Sequence, residues 1–162
     1  GLNGGRPAMT SPPASFDLSR FVHAQRGCYE QALAELRAGR KRTHWIWYIL
    51  PQLRELGRSA MAREYGIQGL DEAVAYLAHP VLGPRLLACV QALLTHRDRA
   101  ATEILGEVDA MKLRSCLTLF HAAAPEEPCF ADALRAFYQG LLDPETLRLL
   151  EPVPEGDGTA SI

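Results

Sequence analysis

The stretch His44-Trp45-Ile46-Trp47-Tyr48-Ile49-Leu50-Pro51-Gln52-Leu53 carries both tryptophans of the chain, next to a histidine. Written as a helix, it puts His44, Trp47 and Tyr48 on one face and Trp45, Ile49 and Gln52 on another, by i, i+3, i+4 spacing. Apolar groups then point in nearly every direction, which is the pattern of a helix enclosed by other helices. Pro51 disfavours the helical conformation at Leu50 and ends or kinks the segment there. The expectation is a buried, tryptophan-rich helix with the remaining helices packed around it.

Those helices are marked on both sides of it. Leu18, Phe21, Val22, Cys28, Tyr29, Ala32, Leu33 and Leu36 fall at helical spacing, with Asp17 or Ser15 as cap, Gly27 as a bend and Gly39 as the stop. Ser59 caps a short helix through Tyr65. Asp71 and Glu72 open another helix where they complement its dipole, and His79-Pro80 ends it. Leu82, Leu86, Cys89, Val90 and Leu93 form the next stripe. A short helix runs from Ala100 to Leu105. Asp109 is then the expected cap of a second strongly apolar helix, Met111 to Phe120. Phe130 to Tyr138 stops at Gly140, and Asp143-Pro144-Glu145 combines cap, N1 proline and acidic first turn. No segment alternates with period two and no internal repeat is present. The fold class is therefore all-α, a compact single-domain bundle of about seven to nine short helices.

The 162 residues suit one domain able to bury a sizeable core. Residues 1–15 are expected to be an expression scar and disordered lead-in, 16–150 the helical domain, and 151–162 a Pro/Gly-rich disordered tail. A hydrophobic share of 48% with 22% charged residues is ordinary for a soluble protein. No apolar run approaches the ~20 residues of a membrane span. Lys+Arg 17 against Asp+Glu 19 argues against nonspecific binding to nucleic acid or an anionic membrane. The one basic run, Arg37 to Arg42, reads as a solvated loop, with phosphate binding the lesser reading. Cys28, Cys89, Cys116 and Cys129 are scattered without metal-ligand spacing, which points to reduced thiols in a cytoplasmic protein, with no metal and no cofactor. Cys129, after a proline at a helix start, is the one thiol whose pKa a helix dipole could lower, against packing as the simpler role.

Several spaced motifs resemble a known family. They are Phe21 with Ala24-Gln25 and Tyr29; His44-Trp45-x-Trp47-x-x-x-Pro51-Gln52-Leu53; Leu56-Gly57-x-Ser59; Glu72-Ala73-x-x-Tyr76-Leu77-x-His79-Pro80-x-Leu82-Gly83-x-Arg85-Leu86; Asp109-x-x-Lys112-Leu113-x-Ser115-Cys116-x-Thr118-Leu119-Phe120; and Asp143-x-x-Thr146-Leu147. Together they span the expected domain and resemble domain-of-unknown-function family 1810, small, mostly bacterial proteins. The resemblance implies an all-helical single domain and no particular activity.

A few polar residues stand out from this apolar background. His44 beside two tryptophans is either a hydrogen-bonded core histidine or a general acid or base, since imidazole titrates near neutral pH. Asp109, Lys112 and Ser115 follow one edge of an apolar helix, and Lys41 is the only other lysine. Either Asp109 and Lys112 pair at the helix start, or Lys112 holds an anion or serves as a base. Arg85 either anchors a carboxylate or phosphate or bridges to Glu72 or Asp109. No nucleotide-binding glycine loop, zinc-protease motif or nucleophile elbow is present.

Two functions compete. In one, His44, Asp109 and Lys112 are catalytic and Trp47, Tyr48, Gln52, Arg85 and Ser115 bind a small anionic, aromatic metabolite of nucleotide type, with or without hydrolysis. In the other, the protein is a non-enzymatic interaction or regulatory module with an exposed apolar patch. In a third reading the tryptophan motif is only the folding core, and replacing Trp47 would cost stability without a separable loss of binding.

Overall fold

Glycines set the first helix boundaries. In the computed structural model, which describes residues 16–151, Gly27 takes φ +81 and divides the first apolar stripe into α1 (Ser19–Gln25) and α2 (Tyr29–Ala38). Gly39, at φ +78, closes α2 in the left-handed conformation that glycine adopts without strain. The chain then forms α3 (Ile46–Ile49), a 3-10 turn (Arg54–Leu56), α4 (Ala60–Tyr65), α5 (Leu70–Ala78), α6 (Leu82–Leu94), α7 (Ala101–Leu105), α8 (Glu107–Ala123), α9 (Pro128–Tyr138) and α10 (Pro144–Leu150). Ten α-helices thus occur among the described residues, slightly more than the sequence suggests, because Gly27 separates two helices where a bend in one was expected. The expectations for Ser15 and for residues 1–15 and 152–162 lie outside the described residues.

The tryptophan segment is not the central helix. Only four residues of it are helical, Trp45 is the residue that precedes α3, and His44 lies outside it and exposed. Trp45, Ile46, Ile49 and Leu50 are buried, whereas Trp47 and Tyr48 are half-buried. The centre is α8, 17 residues long, which buries Leu113 and every residue from Ser115 to Phe120. It packs against α5, α7, α9 and α10. The physical reason is length: four residues cannot present faces to several neighbours, whereas five turns can. The core it organises is partly aromatic, with Tyr76 between Phe21 and Phe120 at ring-centroid distances of 5.0 and 5.4 Å.

Two polar devices fix the ends of this core. Arg20 reaches the fully buried Glu72 at 2.8 Å and also donates to the Gly66 and Glu64 carbonyls. Leu53 and Ile67 form an isolated parallel bridge, Arg54 N donating to the Ile67 carbonyl and Ile67 N to that of Gln52. That bridge ties the segment after α3 to the segment after α4, and so fixes Gln52 beside α4. The caps behave as their sequences require: Ser59 accepts from Ala62 N and Asp143 from Thr146 N. Asp109 is not a cap, because α8 starts earlier, at Glu107.

Among the described residues no single helix is long and apolar enough to cross a membrane. The α5–α6 pair has the length and composition, but its two helices meet at 91°, and α6 buries Leu82, Leu86, Cys89, Val90 and Leu93 in the core.

Candidate functional site

The basic run after α2 is a clamped loop rather than a freely solvated one. Glu35, 4% exposed, accepts from Gln31 Nε2, Arg42 N, Thr43 N, Thr43 Oγ1 and Trp45 Nε1 at 2.7–3.2 Å. Burial pushes its carboxyl up, but the bonds from Gln31, Arg42, Thr43 and Trp45 outweigh burial and hold the pKa at about 2. Lys41 N donates to the Ile104 carbonyl, which directs the Lys41 side chain inward. Its ammonium meets Asp109 at 2.8 Å and lies 4.9 Å from the centre of the Trp45 ring. Asp109 is therefore paired with Lys41, from a distant loop, and not with Lys112 one turn along its own helix.

Lys112 is left without a carboxylate: among the described residues none lies within 4.0 Å of its ammonium. Half-buried, it sits 5.2 Å from the centre of the Trp47 ring, a cation–π contact that holds the charge without neutralising it. Beside it opens a groove of about 590 Å³ between the turn and α4 on one side and α8 with the start of α10 on the other. Gln52, Arg58, Ser59, Lys112 and Ser115 contribute polar groups to it, and Val108 and Met111, 65% and 73% exposed, form an apolar rim. A water-sized hollow lined by Trp47, Gln52, Tyr65 and Lys112 adjoins it.

Most of the other charges at the groove are committed. Asp143 Oδ2 accepts from Ser115 Oγ and from the backbone and side chain of Thr146. Arg114 donates to the Leu141 and Leu142 carbonyls, and Glu145 pairs with Arg148. Arg58, exposed in the loop before α4, makes no ion pair or hydrogen bond within the described residues. Among the described residues Lys112 and Arg58 are thus the groove's cations with neither an ion pair nor a hydrogen bond, while Asp143 has no cation partner and is held by neutral donors alone.

The structure gathers Trp47, Gln52, Lys112 and Ser115 of the expected residues around this groove and its hollow. It places the others elsewhere. His44 is exposed, its carbonyl accepting from the Tyr48 hydroxyl at 3.3 Å. Arg85 bridges neither Glu72 nor Asp109; it lies 4.5 Å from the centre of the Tyr29 ring and donates to Gln25 Oε1. The reason is that Glu72 already holds Arg20 and Asp109 already holds Lys41. Tyr48 packs edge-on to Tyr65, and burial, then the neighbouring Cys28, pushes its phenol up to about 12. Two residues that matter here carry no special signal in the sequence. Glu35 sits inside an ordinary helical stripe, and Arg58 is one arginine among many; only the hint of the Gly57-x-Ser59 turn exposes the latter.

The thiols follow packing. All four cysteines are free. Burial, followed by repulsion from Glu127 and Asp132, raises Cys129 to about 12, so the helix start does not activate it. Among the described residues no cluster of His, Cys, Asp and Glu could hold a metal ion.

An all-α domain of this architecture, with one side groove of uncommitted positive charge, defines the class. The chain belongs to the family described as a protein of unknown function, DUF1810, whose model matches residues 15–150. Among solved structures it is similar to the conserved hypothetical protein Rv1873 from Mycobacterium tuberculosis. The two share 47% identity with a TM-score of 0.82, over 83% of this chain and 96% of that one. No curated protein matches the chain. The helical fold and the family that the sequence motifs resemble are both shown by these matches.

Proposed function

We propose that the groove between α4 and α8 binds a small anionic ligand with an apolar or aromatic part. The observation that supports this is Lys112, a half-buried ammonium held by the Trp47 ring and facing the groove without a carboxylate. Arg58 adds a second uncommitted cation, Gln52 and Ser59 add neutral hydrogen-bonding groups, and Met111 and Val108 add an apolar edge. A few convergent polar groups within a largely apolar concavity are what small-molecule sites have in common. Ser115 acts here as a positioning residue, since its hydroxyl is engaged by Asp143. The reading is one of binding; no acid/base pair is assigned. It takes the protein as cytoplasmic, in keeping with four free thiols.

The test is a thermal-shift panel of nucleotides, nucleotide sugars and aromatic carboxylates. A ligand at about a hundred times its Kd adds ~2.7 kcal/mol, a rise of roughly 5–10 °C for a domain of this size. Lys112→Met keeps most of the unbranched stem and removes the charge, so it should abolish the shift, and Arg58→Ser should weaken it. A panel without any shift, or a shift unchanged in Lys112→Met, refutes the reading. The exposure of Val108 and Met111 supports a second reading, in which the same rim receives an apolar helix of a partner protein. A flat ligand panel together with a partner protein whose binding is lost in Met111→Glu would favour it.

A further inference from the structure

Overall charge conceals how the charge is distributed. His96 Nε2 donates to the Arg37 carbonyl at 2.9 Å and Arg99 Nη1 to the Gly39 carbonyl at 3.0 Å. These bonds lock the end of α6 and its following turn against the end of α2. Two basic segments distant in sequence, Arg37 to Arg42 and His96 to Arg99, therefore lie side by side. Arg37, Arg40, Arg42 and Arg97 are exposed and Arg99 is half-exposed.

The loop that carries Arg40 and Arg42, just after Arg37 in the last turn of α2, is held in one shape. Glu35 takes Arg42 N, Thr43 N and the Thr43 hydroxyl, the Glu35 carbonyl takes Arg40 N, and the Ile104 carbonyl takes Lys41 N. Lys41 turns inward to Asp109, leaving Arg40 and Arg42 on the outside to either side of it. The negative charges on the inner side, Glu35 and Asp109, are thus engaged by the loop itself. On the outside, Asp98 and Glu103 are the acidic neighbours, and Glu103 accepts from Ala100 N at 3.2 Å and pairs with Arg99 at 3.8 Å.

We propose that this ridge, Arg37, Arg40 and Arg42 beside Arg97 and Arg99, binds the phosphate backbone of a nucleic acid. Guanidinium groups present planar forks that match phosphate oxygens, and a pre-shaped loop loses little entropy on binding. The large exposed apolar residues, Leu70, Val74, Val108, Met111 and Leu141, belong to other segments, so nothing on the ridge would insert into a bilayer. It lines neither the groove nor the adjoining hollow, which favours an extended polyanion over an enclosed small one. The net charge of −2 does not oppose this, because exposed charges act within a Debye length of about 8–10 Å at ordinary salt.

The test is fluorescence anisotropy with labelled DNA and RNA of about 20 nucleotides, single- and double-stranded, alongside vesicles containing anionic lipid. Engagement of about three phosphates gives a salt slope of roughly −2 to −3, a loss of about 15- to 60-fold in affinity from about 50 to 200 mM salt. The double reversal Arg40→Glu/Arg97→Glu should abolish binding while leaving the circular dichroism and melting temperature of the protein intact. Arg40→Lys/Arg97→Lys should keep it within a few fold. Arg58→Glu, at the groove, should leave it unchanged, which separates this ridge from the ligand site. No binding at about 50 mM salt, binding that survives the double reversal, or binding to anionic vesicles in preference to nucleic acid overturns the proposal.

Discussion

Glu35→Gln is the substitution that most directly tests how the loop after α2 is held. The carboxylate is 4% exposed and accepts five hydrogen bonds. Glutamine keeps one acceptor oxygen but turns an amide NH2 toward Gln31 and Thr43, which are themselves donors there. The drop in pKa from 4.5 to about 2, at about 1.4 kcal/mol per pH unit, corresponds to about 3 kcal/mol at neutral pH. For a domain of this size that lowers Tm by roughly 6–12 °C. The sign of the pH dependence follows from a folded pKa below the unfolded one. The stabilisation is fully present above about pH 5 and is lost as the pH falls through 4.5 toward 2. Urea titrations of both proteins should therefore show the wild-type advantage shrinking by about 2 kcal/mol between pH 7 and pH 3. Emission from Trp45, whose Nε1 donates to the same carboxylate, should change in the variant before unfolding. A loss below about 1 kcal/mol, the worth of one ordinary hydrogen bond, or a gap that does not vary with pH, would refute the account of Glu35 as a charged clamp.

Two further outcomes are expected. Arg20→Ala leaves Glu72, fully buried, without its counter-charge, and should destabilise by about 3–5 kcal/mol; adding Glu72→Gln should restore part of this, and a single-variant loss under about 1 kcal/mol in chemical denaturation would contradict the burial of the pair. Native protein treated with a thiol reagent at pH 8 should label only Cys28, and slowly, because burial, partly offset by Tyr48 and Arg85, raises its pKa. Burial holds Cys89 and Cys129 near 12 and raises Cys116 well above the usual thiol value, so they should react only after denaturation, and fast labelling of more than one thiol in the folded state would show the core to be open.

Helix boundaries were legible because the groups that set them lie close together in the chain. Gly39, Ser59, Gly140 and the Asp143-Pro144 start act through bonds to residues a turn away, so their effect is visible in a short window. The rank of the helices was not legible. The tryptophan segment looks central by composition, yet α3 has four residues and α8 organises the core. Burial is decided by what packs on each face, and apolar content alone does not report that. Of the candidate site, Trp47, Gln52, Lys112 and Ser115 meet at the groove, while Asp109 is drawn to Lys41 and Arg85 to Gln25 and Tyr29. Spacing along one helix could bring Asp109 near Lys112; it could not foresee a lysine delivered from another loop.

By itself the sequence determined an all-helical domain, its main caps and stops, and membership of its family, because periodicity, capping and motif spacing are local properties of the chain. Only the tertiary structure decided which charges are spent and which remain. Lys41 and Asp109 neutralise one another inside and Glu35 is taken up by the donors of Gln31, Arg42, Thr43 and Trp45, which leaves Lys112 and Arg58 at the groove and the arginines of the ridge facing outward. The physical reason is that an ion pair or a buried carboxylate forms wherever packing brings partners within about 3–4 Å, and that distance is set by helices far apart in sequence.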